Sequence, residues 1–305
     1  MMNYGSLALR PKHFNSFTGF KVAEFASMAE TIKEDWEEIR QQSFKQDRIR
    51  KVGGGVKPKL PKLEDRLLIY CVYAKLYLPY VLLEYLFGVD ESTICRIVKE
   101  MTKVLGKKII VQRGGKRIST LEELKEVFPD LDEVLIDATE QRINRPEKKR
   151  LRNKHHSGKK KAFTIKTQLM TTKQKLVLHV ADSSPGRIHD YKYFQDTGVP
   201  EWLENNPQIK ARVDLGYLGA NDDYPSADIV LPIRRNRWHK TLTRSQKIMN
   251  TKKAKARIFV ENNIANLKKF KILSDTFRNL KEHYSANFKS VCFLSNFRTL
   301  ERMPV

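Results

Sequence analysis

Three acidic residues stand beside apolar runs in a chain that is otherwise very basic. Asp137 closes the run Val134-Leu135-Ile136, Asp214 follows a similar short run, and Glu261 lies in a segment with helical periodicity. Two aspartates at strand ends and one glutamate on a facing helix can hold two Mg²⁺ or Mn²⁺ ions for phosphoryl transfer. Each acid alone is more often a helix cap, a turn residue or an ion-pair partner, so this prediction depends on the three together.

The net charge of the chain indicates a polyanionic partner. Among 305 residues there are 58 Lys and Arg against 35 Asp and Glu, a formal net charge of +23. Such an excess favours nucleic acid over a membrane surface, because no terminal amphipathic stretch is basic enough for the latter. A ribosome-associated or tail-bearing basic protein is the alternative.

The cysteines and the hydropathy pattern exclude several other classes of protein. Cys71, Cys95 and Cys292 are isolated in the sequence, which leaves neither a disulfide framework nor a paired-cysteine zinc site. No apolar run approaches the roughly 18 residues of a membrane span, and the N-terminus lacks a signal pattern. We expect a cytoplasmic protein associated with the nucleoid.

Two segments concentrate the positive charge, and each adjoins one candidate acid. Residues 141–161 directly follow Asp137, and residues 234–257 lead into Glu261. Solvated loops are the usual interpretation of a charge run, but this placement favours phosphate contacts, with Lys159 and Lys160 among them. Trp238 in the second run can stack on an unpaired base or anchor its loop to the core.

A helix-turn-helix pattern precedes the acids. Periodicity predicts a helix over 62–78, a short helix that starts near Pro79 and ends at Gly88, and a third helix capped by Asp90. The polar side of the third helix is predicted to contact DNA. Its residues are Ser92, Thr93, Arg96 and Lys99. An ordinary three-helix packing unit with a solvated polar face is the alternative.

The remaining elements predict an α/β core behind an N-terminal helical segment. Val22–Gln42 is predicted as an amphipathic helix whose apolar face needs a partner, so it is a candidate for a contact between two copies. Residues 1–22 show no clear period, and Gly53-Gly54-Gly55 is predicted as a flexible hinge. The predicted strands are 108–111, 134–139, 163–170, 175–181, 210–214 and 228–232, and the predicted helices 121–127, 191–196 and 253–270.

Two further features have competing interpretations. His155 and His156 invite a zinc site, but no Cys or second His lies at finger spacing, so ordinary polar or phosphate-contacting roles are favoured. Asp190 is most simply the N-terminal cap of the helix that follows it, and a supporting role beside the metal site is the alternative.

Four stretches make the chain similar to the DDE transposases of bacterial insertion sequences, specifically the insertion-sequence-5-like group related to the Harbinger elements. They are Ile136-Asp137-Ala138-Thr139-Glu140 with Arg145-Pro146; Ser157-Gly158-Lys159-Lys160-Lys161 with Thr164-Ile165-Lys166 and Pro185-Gly186-Arg187-Ile188-His189-Asp190; Asp214-Leu215-Gly216-Tyr217-Leu218-Gly219; and the spacing of Arg257, Glu261 and Lys268. The resemblance covers about residues 60–275.

The resemblance implies an RNase H-like fold, with Asp137 on the first strand, Asp214 on the fourth and Glu261 on a late helix. It implies Mg²⁺-dependent nicking at the terminal inverted repeats of a double-stranded element, followed by attack of the freed 3′-hydroxyl on target DNA. Arg257 and Lys268 would contact phosphates near the cleaved bond, and a homodimer would bring two ends together.

We therefore expect an α/β protein in which an RNase H-like mixed-sheet catalytic core (107–305) follows an all-α helix-turn-helix DNA-binding region (60–106) and an N-terminal segment (1–59). A transposase is the first hypothesis for its function. The alternatives are a domesticated DNA-binding protein on the same scaffold, which does not need three metal-coordinating acids, and a metal-dependent nuclease that cuts without joining.

Overall fold

The computed structural model describes residues 1–42, 58–107, 110–111, 117–118, 131–235 and 241–303, with the backbone alone at 110–111, 117–118, 252 and 254–257. The predicted hinge at Gly53–Gly55, the predicted helix over 121–127 and Trp238 lie outside these residues.

The chain divides into two compact units. The first contains residues 1–116, 269–273 and 286–305, and the second contains 117–268 and 274–285. The domain boundaries drawn from the sequence stay predictions.

The elements run as follows in chain order. The helices are α1 (Tyr4–Ala8), α2 (Pro11–Thr18), α3 (Val22–Gln42), α4 (Leu63–Leu76), α5 (Tyr80–Phe87), α6 (Glu91–Gly106), α7 (Lys149–His155), α8 (Asp190–Gln195), α9 (Val199–Glu204), α10 (Ala220–Asp223), α11 (Arg244–Leu267), α12 (Lys271–Ser274) and α13 (Tyr284–Arg302). The strands are β1 (Ile110–Val111), β2 (Arg117–Ile118), β3 (Glu133–Arg142), β4 (His156–Ser157), β5 (Ala162–Thr171), β6 (Val177–Val180), β7 (Ser184–Pro185), β8 (Lys210–Arg212) and β9 (Ile229–Val230). Two 3₁₀ turns cover Leu215–Tyr217 and Lys281–His283. None of the helices described is both long and apolar enough to cross a membrane.

Helix α4 forms the centre of the first unit. Every residue from Leu67 to Ala74 is buried, so the helix is covered on all sides. Helices α2, α3 and α6 pack against it. The guanidinium of Arg66 donates to the Glu100 carboxylate on α6 at 2.6 Å, and the Trp36 indole on α3 donates to the same carboxylate. One acidic side chain therefore joins three helices.

The N-terminal region contains two helices that periodicity does not indicate, and it corrects one expectation. Residues 1–22, which show no clear period, form α1 and α2, and the rings of Tyr4, Phe14 and Phe25 pack together with centroids 5.1–6.1 Å apart. Helix α3 has the predicted bounds, but its apolar face is buried against α4 and α6 of its own unit. That face therefore needs no second copy to cover it.

The helix-turn-helix geometry is present in α5 and α6. Gly88 ends α5 with φ +67°, the left-handed conformation expected there, and Pro79 takes the N-cap position one residue before the predicted place. Asp90 occupies the N-cap of α6, but its side chain makes no capping hydrogen bond. The Glu84 carboxylate accepts the hydrogen bond of the Glu91 amide instead, at 2.9 Å, because the tight turn brings α5 beside the start of α6.

The C-terminal helix completes the first unit. From Ala286 onward α13 belongs to that unit, and its apolar side chains Val291, Phe293 and Leu294 are fully buried. The Tyr70 hydroxyl on α4 forms a buried hydrogen bond with the hydroxyl of Ser290 on α13. The helix-turn-helix unit is thus built from both ends of the chain.

The second unit is organised around a mixed sheet. Its central order is β6-β5-β3-β8-β9; β6, β5 and β3 are antiparallel neighbours, whereas β3, β8 and β9 run parallel. Strands β4 and β7 also pair with β5. This strand order, with helices packed on the sheet, confirms the predicted α/β RNase H-like core.

Candidate active site

Asp137 lies in the middle of β3, not at the end of a strand as predicted. The strand continues to Arg142, because the polar residues after Asp137 stay paired with β5 up to Arg142 opposite Thr164. Side chains alternate along a strand, so Asp137 shares a face with Leu135 and Thr139. One oxygen of the Asp137 carboxylate accepts the hydrogen bond of the Ala138 amide at 2.8 Å.

The parallel pairing of β3 with β8 brings Asp214 level with Asp137. Leu135 lies opposite Arg212, and each aspartate comes two residues later on its own strand path. Neighbouring strand paths are roughly 5 Å apart, so the two carboxylates belong to one region of the sheet. Asp214 caps the 3₁₀ turn after β8, where its Oδ1 accepts the hydrogen bond of the Gly216 amide at 2.7 Å.

Glu261 reaches this region on α11, which packs across β3. Val260 and Ile264 on the helix pack with Leu135, two residues before Asp137. The helix begins at Arg244 and not near 253 as predicted, because Thr243 and Gln246 form a reciprocal capping box. That Thr-x-x-Gln signal was readable in the sequence.

These elements surround a cavity of about 290 Å³. Its lining combines carboxylates with lysines: Asp137, Glu140, Asp190 and Glu261 with Lys159, Lys160 and Lys268, together with Ala138, Thr139, Ile264 and Ala265. Glu261, Ile264 and Ala265 on α11 and Lys268 at its C-cap follow the spacing i, i+3, i+4, i+7, which places them on one side of the helix. Asp137 and Glu261 thus share one cavity, while Asp214 is not among its lining residues.

Three lysines bring positive charge to the cavity. Lys159 and Lys160 are exposed on the turn between β4 and β5, and the Lys160 amide donates to the Ser157 hydroxyl at 3.2 Å. Burial lowers the pKa of Lys268, and the charge of Lys160 lowers it further, whereas Asp137 and Glu140 oppose the change. The side chain of Arg257 lies outside the part of the chain that the structure describes.

The buried hydroxyl of Tyr217 is affected by the charges of three aspartates in this region. Burial raises the pKa of the Tyr217 hydroxyl, and the negative charges of Asp137, Asp190 and Asp214 raise it further. Geometry brings Asp214 close to the cavity: its Oδ1 and the Oδ2 of the lining residue Asp190 lie 2.8 and 3.1 Å from the place that a Cβ atom on Gly216 would take.

Asp190 is not the helix cap that the sequence predicts. His189 takes the N-cap position of α8, and Asp190 accepts a hydrogen bond from the ammonium of Lys166 at 2.6 Å. Glu140, Lys166 and Asp190 are neighbours of the site for which sequence reasoning settled no role. For Lys166 the sequence did contain a signal: Thr164, Lys166 and Gln168 are polar residues that alternate along a predicted strand and therefore share one face.

His155 and His156 both contact residues of strand β5. The Nδ1 atom of His155 lies 3.0 Å from the backbone oxygen of Thr164, and burial lowers the pKa of its imidazole. The His156 ring packs edge-on against Phe163. Both contacts stabilise the hairpin of β4 and β5, whose turn carries Lys159 and Lys160.

The donor set of the region suits a hard divalent cation. Mg²⁺ and Mn²⁺ prefer carboxylate oxygens, which β3, the turn after β8 and α11 supply. Within the described residues, however, no three His, Cys, Asp or Glu side chains stand close enough together to ligate one ion. The donors therefore fit the metal by chemistry, while their assignment as ligands is a proposal.

The polar side of α6 is formed as the helix-turn-helix pattern predicts. Ser92, Arg96 and Lys99 are exposed and Thr93 is half-buried, opposite the buried stripe. The Arg96 guanidinium donates to the hydroxyls of Ser92 and Thr93 at 3.3 and 3.2 Å. One turn of the helix thus presents a connected group of donors to solvent.

The two units define a helix-turn-helix protein with an RNase H-like α/β core. The family model of the DDE superfamily endonuclease matches residues 136–296, and that of the helix-turn-helix of DDE superfamily endonuclease matches residues 58–109. The chain therefore belongs to the DDE superfamily endonucleases, and the predicted kinship with the DDE transposases of insertion sequences is confirmed. The two matches together imply that the chain binds DNA.

The name of a similar protein is consistent with this family. The chain is 29% identical over 253 residues to the "Probable transposase for insertion sequence element IS702" of Microchaete diplosiphon, which covers 83% of this chain and 86% of the relative. No solved structure matches the chain.

Proposed function

We propose that this protein is a transposase that binds the terminal inverted repeats of an insertion sequence and catalyses metal-dependent strand cleavage and strand transfer. The observation that carries the proposal is the cavity shared by Asp137 and Glu261, which three lysines also line and whose lining residue Asp190 lies against the same glycine as Asp214. Members of this family generally use divalent metal ions. The name of the relative supports the same reaction class.

In this proposal Asp137, Asp214 and Glu261 hold two Mg²⁺ or Mn²⁺ ions. Such ions, when bound, activate water or a 3′-hydroxyl and stabilise the leaving oxygen of a phosphodiester. Lys159, Lys160 and Lys268 hold the DNA phosphates next to these carboxylates, where Lys268 is already partly withdrawn from solvent.

Recognition of the ends is assigned to α6. Ser92, Thr93, Arg96 and Lys99 would enter the major groove, since the first turns of a recognition helix meet base edges and phosphates. The helix begins beside the α5 turn, so α5 would cross the DNA backbone. We also propose that two copies act together, because cleavage and joining of an element involve both of its ends.

The test compares variants of the cavity acids on a plasmid that carries both ends of the element. Asp137→Ala, Asp214→Ala and Glu261→Ala should each lower the rate of Mg²⁺-dependent nicking by about a thousandfold or more, because the charge stabilisation that is lost amounts to several kcal/mol. Binding to an end duplex, measured by fluorescence anisotropy, should stay within about twofold. Asp196→Ala is the matched control, since Asp196 is an exposed carboxylate paired with Lys192 on α8.

The outcomes separate the candidate functions. Nicks accompanied by joined products support the transposase. Nicks without joined products would leave an endonuclease that cuts and does not transfer. Wild-type nicking by any one of the three variants would remove that residue from the set of ligands, and binding without any nicking would support a DNA-binding role alone.

A further inference from the structure

A buried lysine in the sheet has no role in the reaction as proposed so far. Lys166 lies in the middle of β5 and is 5% exposed. Its ammonium is 2.6 Å from the Asp190 Oδ1, 2.6 Å from the backbone oxygen of Ile188 and 3.9 Å from the Glu140 Oε1. A buried ammonium is tolerated only when its donors and its charge are matched; here Ile188 and Asp190 accept hydrogen bonds, and the Glu140 carboxylate adds an ion pair.

The same strand holds the loop that carries Asp190. Strand β7 pairs with β5, and the Gly186 amide donates to the Thr164 backbone oxygen at 3.0 Å. A Cβ atom on Gly186 would lie 1.8 Å from the Thr164 Oγ1, so the approach of the loop to β5 requires a glycine. Lys166 contacts the other end of this loop, because its ammonium donates to the Ile188 backbone oxygen and to the Asp190 carboxylate.

The second oxygen of Asp190 abuts the turn that orients Asp214. Its Oδ2 is 3.1 Å from the place that a Cβ atom on Gly216 would take, and the Asp214 Oδ1 is 2.8 Å from the same place. The two carboxylates therefore flank one glycine, whose amide is bound to Asp214. Like charges this close repel, and Lys166 balances the charge of Asp190 from the other side.

We propose that Lys166 and Asp190 are positioning residues of the active site: Lys166 holds Asp190 against the Gly216 turn, and Asp190 fixes the place of the Asp214 carboxylate. This inference rests on the proposed function, in which Asp214 holds a metal ion. Groups that orient metal ligands without binding the metal typically change metal affinity by about 10- to 100-fold when removed.

The alternative is that the pair is an ordinary buried ion pair, and a double variant separates the two. Lys166→Met leaves Asp190 without its closest partner, whereas Lys166→Met/Asp190→Asn removes both charges and leaves none unpaired. The full-length protein is titrated with Mn²⁺, and free Mn²⁺ is followed by electron paramagnetic resonance. Melting temperatures are measured on the same samples. Lys173→Met is the matched control, because it breaks the pair of Lys173 with the buried Glu133 on the same sheet.

We expect Lys166→Met, Asp190→Asn and the double variant all to raise the Mn²⁺ dissociation constant about tenfold or more, while Lys173→Met leaves it unchanged. Restoration of wild-type affinity in the double variant would overturn the proposal, since charge balance alone would then suffice. If Lys166→Met fails to fold, Asp190→Asn and the double variant still decide, because Lys166 retains Ile188 and Glu140 in the former.

The proposed function and this inference fail in different ways. Loss of Mn²⁺ binding in Asp137→Asn with unchanged binding in the pair variants refutes the positioning alone. A wild-type protein that binds Mn²⁺ but never nicks DNA refutes the proposed function, and weakened Mn²⁺ binding in the pair variants still supports the positioning.

Discussion

At the scale of single residues, the acidic site depends on close contacts between groups far apart in sequence. The Thr164 hydroxyl donates to the Glu140 carboxylate at 2.7 Å, and its backbone oxygen accepts from the Gly186 amide. Residue types and spacing singled out the three candidate acids, since carboxylates beside apolar runs are conspicuous in so basic a chain. They did not identify Lys166 as a partner of Asp190, because that contact joins a strand to a loop 24 residues later.

Gly186 provides the residue-scale prediction. Gly186→Ala should lower the free energy of unfolding by about 1–3 kcal/mol, because the added methyl overlaps the Thr164 hydroxyl and the loop must move. Thermal melting should show a fall of several degrees. Gly158→Ala is the control, since a Cβ atom there would meet nothing within 4 Å. Equal melting temperatures for the two variants would contradict the close approach.

At the scale of elements, helix α13 and the N-terminal helices belong to the unit that contains the helix-turn-helix. The Arg302 guanidinium on α13 donates twice to the Glu24 carboxylate on α3, at 2.7 and 3.0 Å. Short helices such as α1 and α2 have little stability of their own, so local pattern is a weak guide to them. Packing of Tyr4 and Phe14 against Phe25 decides their existence.

The Glu24–Arg302 pair makes stability depend on pH in a defined direction. Burial raises the pKa of Glu24, but hydrogen bonds from Arg302 and the Lys21 amide outweigh it, and the net pKa lies below its usual value. The stabilisation is therefore complete above the ordinary glutamate pKa of about 4.3 and is lost as the pH falls through the lowered folded value. Arg302→Met should melt earlier than wild type at pH 7, and the difference should shrink below about pH 4.3.

The control for this pair is Lys33→Met on the same helix α3. The Lys33–Glu30 pair is well exposed, and such pairs contribute little, so its melting temperature should follow the wild type at each pH. A difference between Arg302→Met and wild type that grows on acidification would show that Glu24 is not stabilised in its charged form.

At the scale of the whole molecule, a chain with a net charge of +23 is expected to bind DNA in a strongly salt-dependent way. A protein that neutralises several phosphates releases counterions, so its affinity falls steeply as salt rises. The helix-turn-helix unit and the core both carry exposed basic residues, Arg96 and Lys99 in one and Lys159 and Lys160 in the other.

Replacing two cavity lysines tests how much they contribute to the salt dependence of DNA affinity. Lys159→Gln/Lys160→Gln should reduce the slope of log affinity against log salt by up to about two, since each phosphate contact contributes roughly 0.9. Fluorescence anisotropy on one duplex over a salt series measures the slope. Lys192→Gln/Lys210→Gln removes two lysines that pair with exposed carboxylates and should leave it unchanged. Equal slopes for the two double variants would remove Lys159 and Lys160 from the DNA contacts.

The sequence by itself determined the family and the order of the helix-turn-helix and the α/β core, and it singled out the three acids that we propose as metal ligands. These follow from local features: apolar periodicity, a glycine that permits the turn at Gly88, and short motifs read along the chain. Only the tertiary structure decided that β3 continues past Asp137, that both ends of the chain build the first unit, and that the Lys166 ammonium binds the Asp190 carboxylate next to the Gly216 turn. Those features depend on strand pairing and on burial between distant segments, whose free energy appears only when the chain is folded.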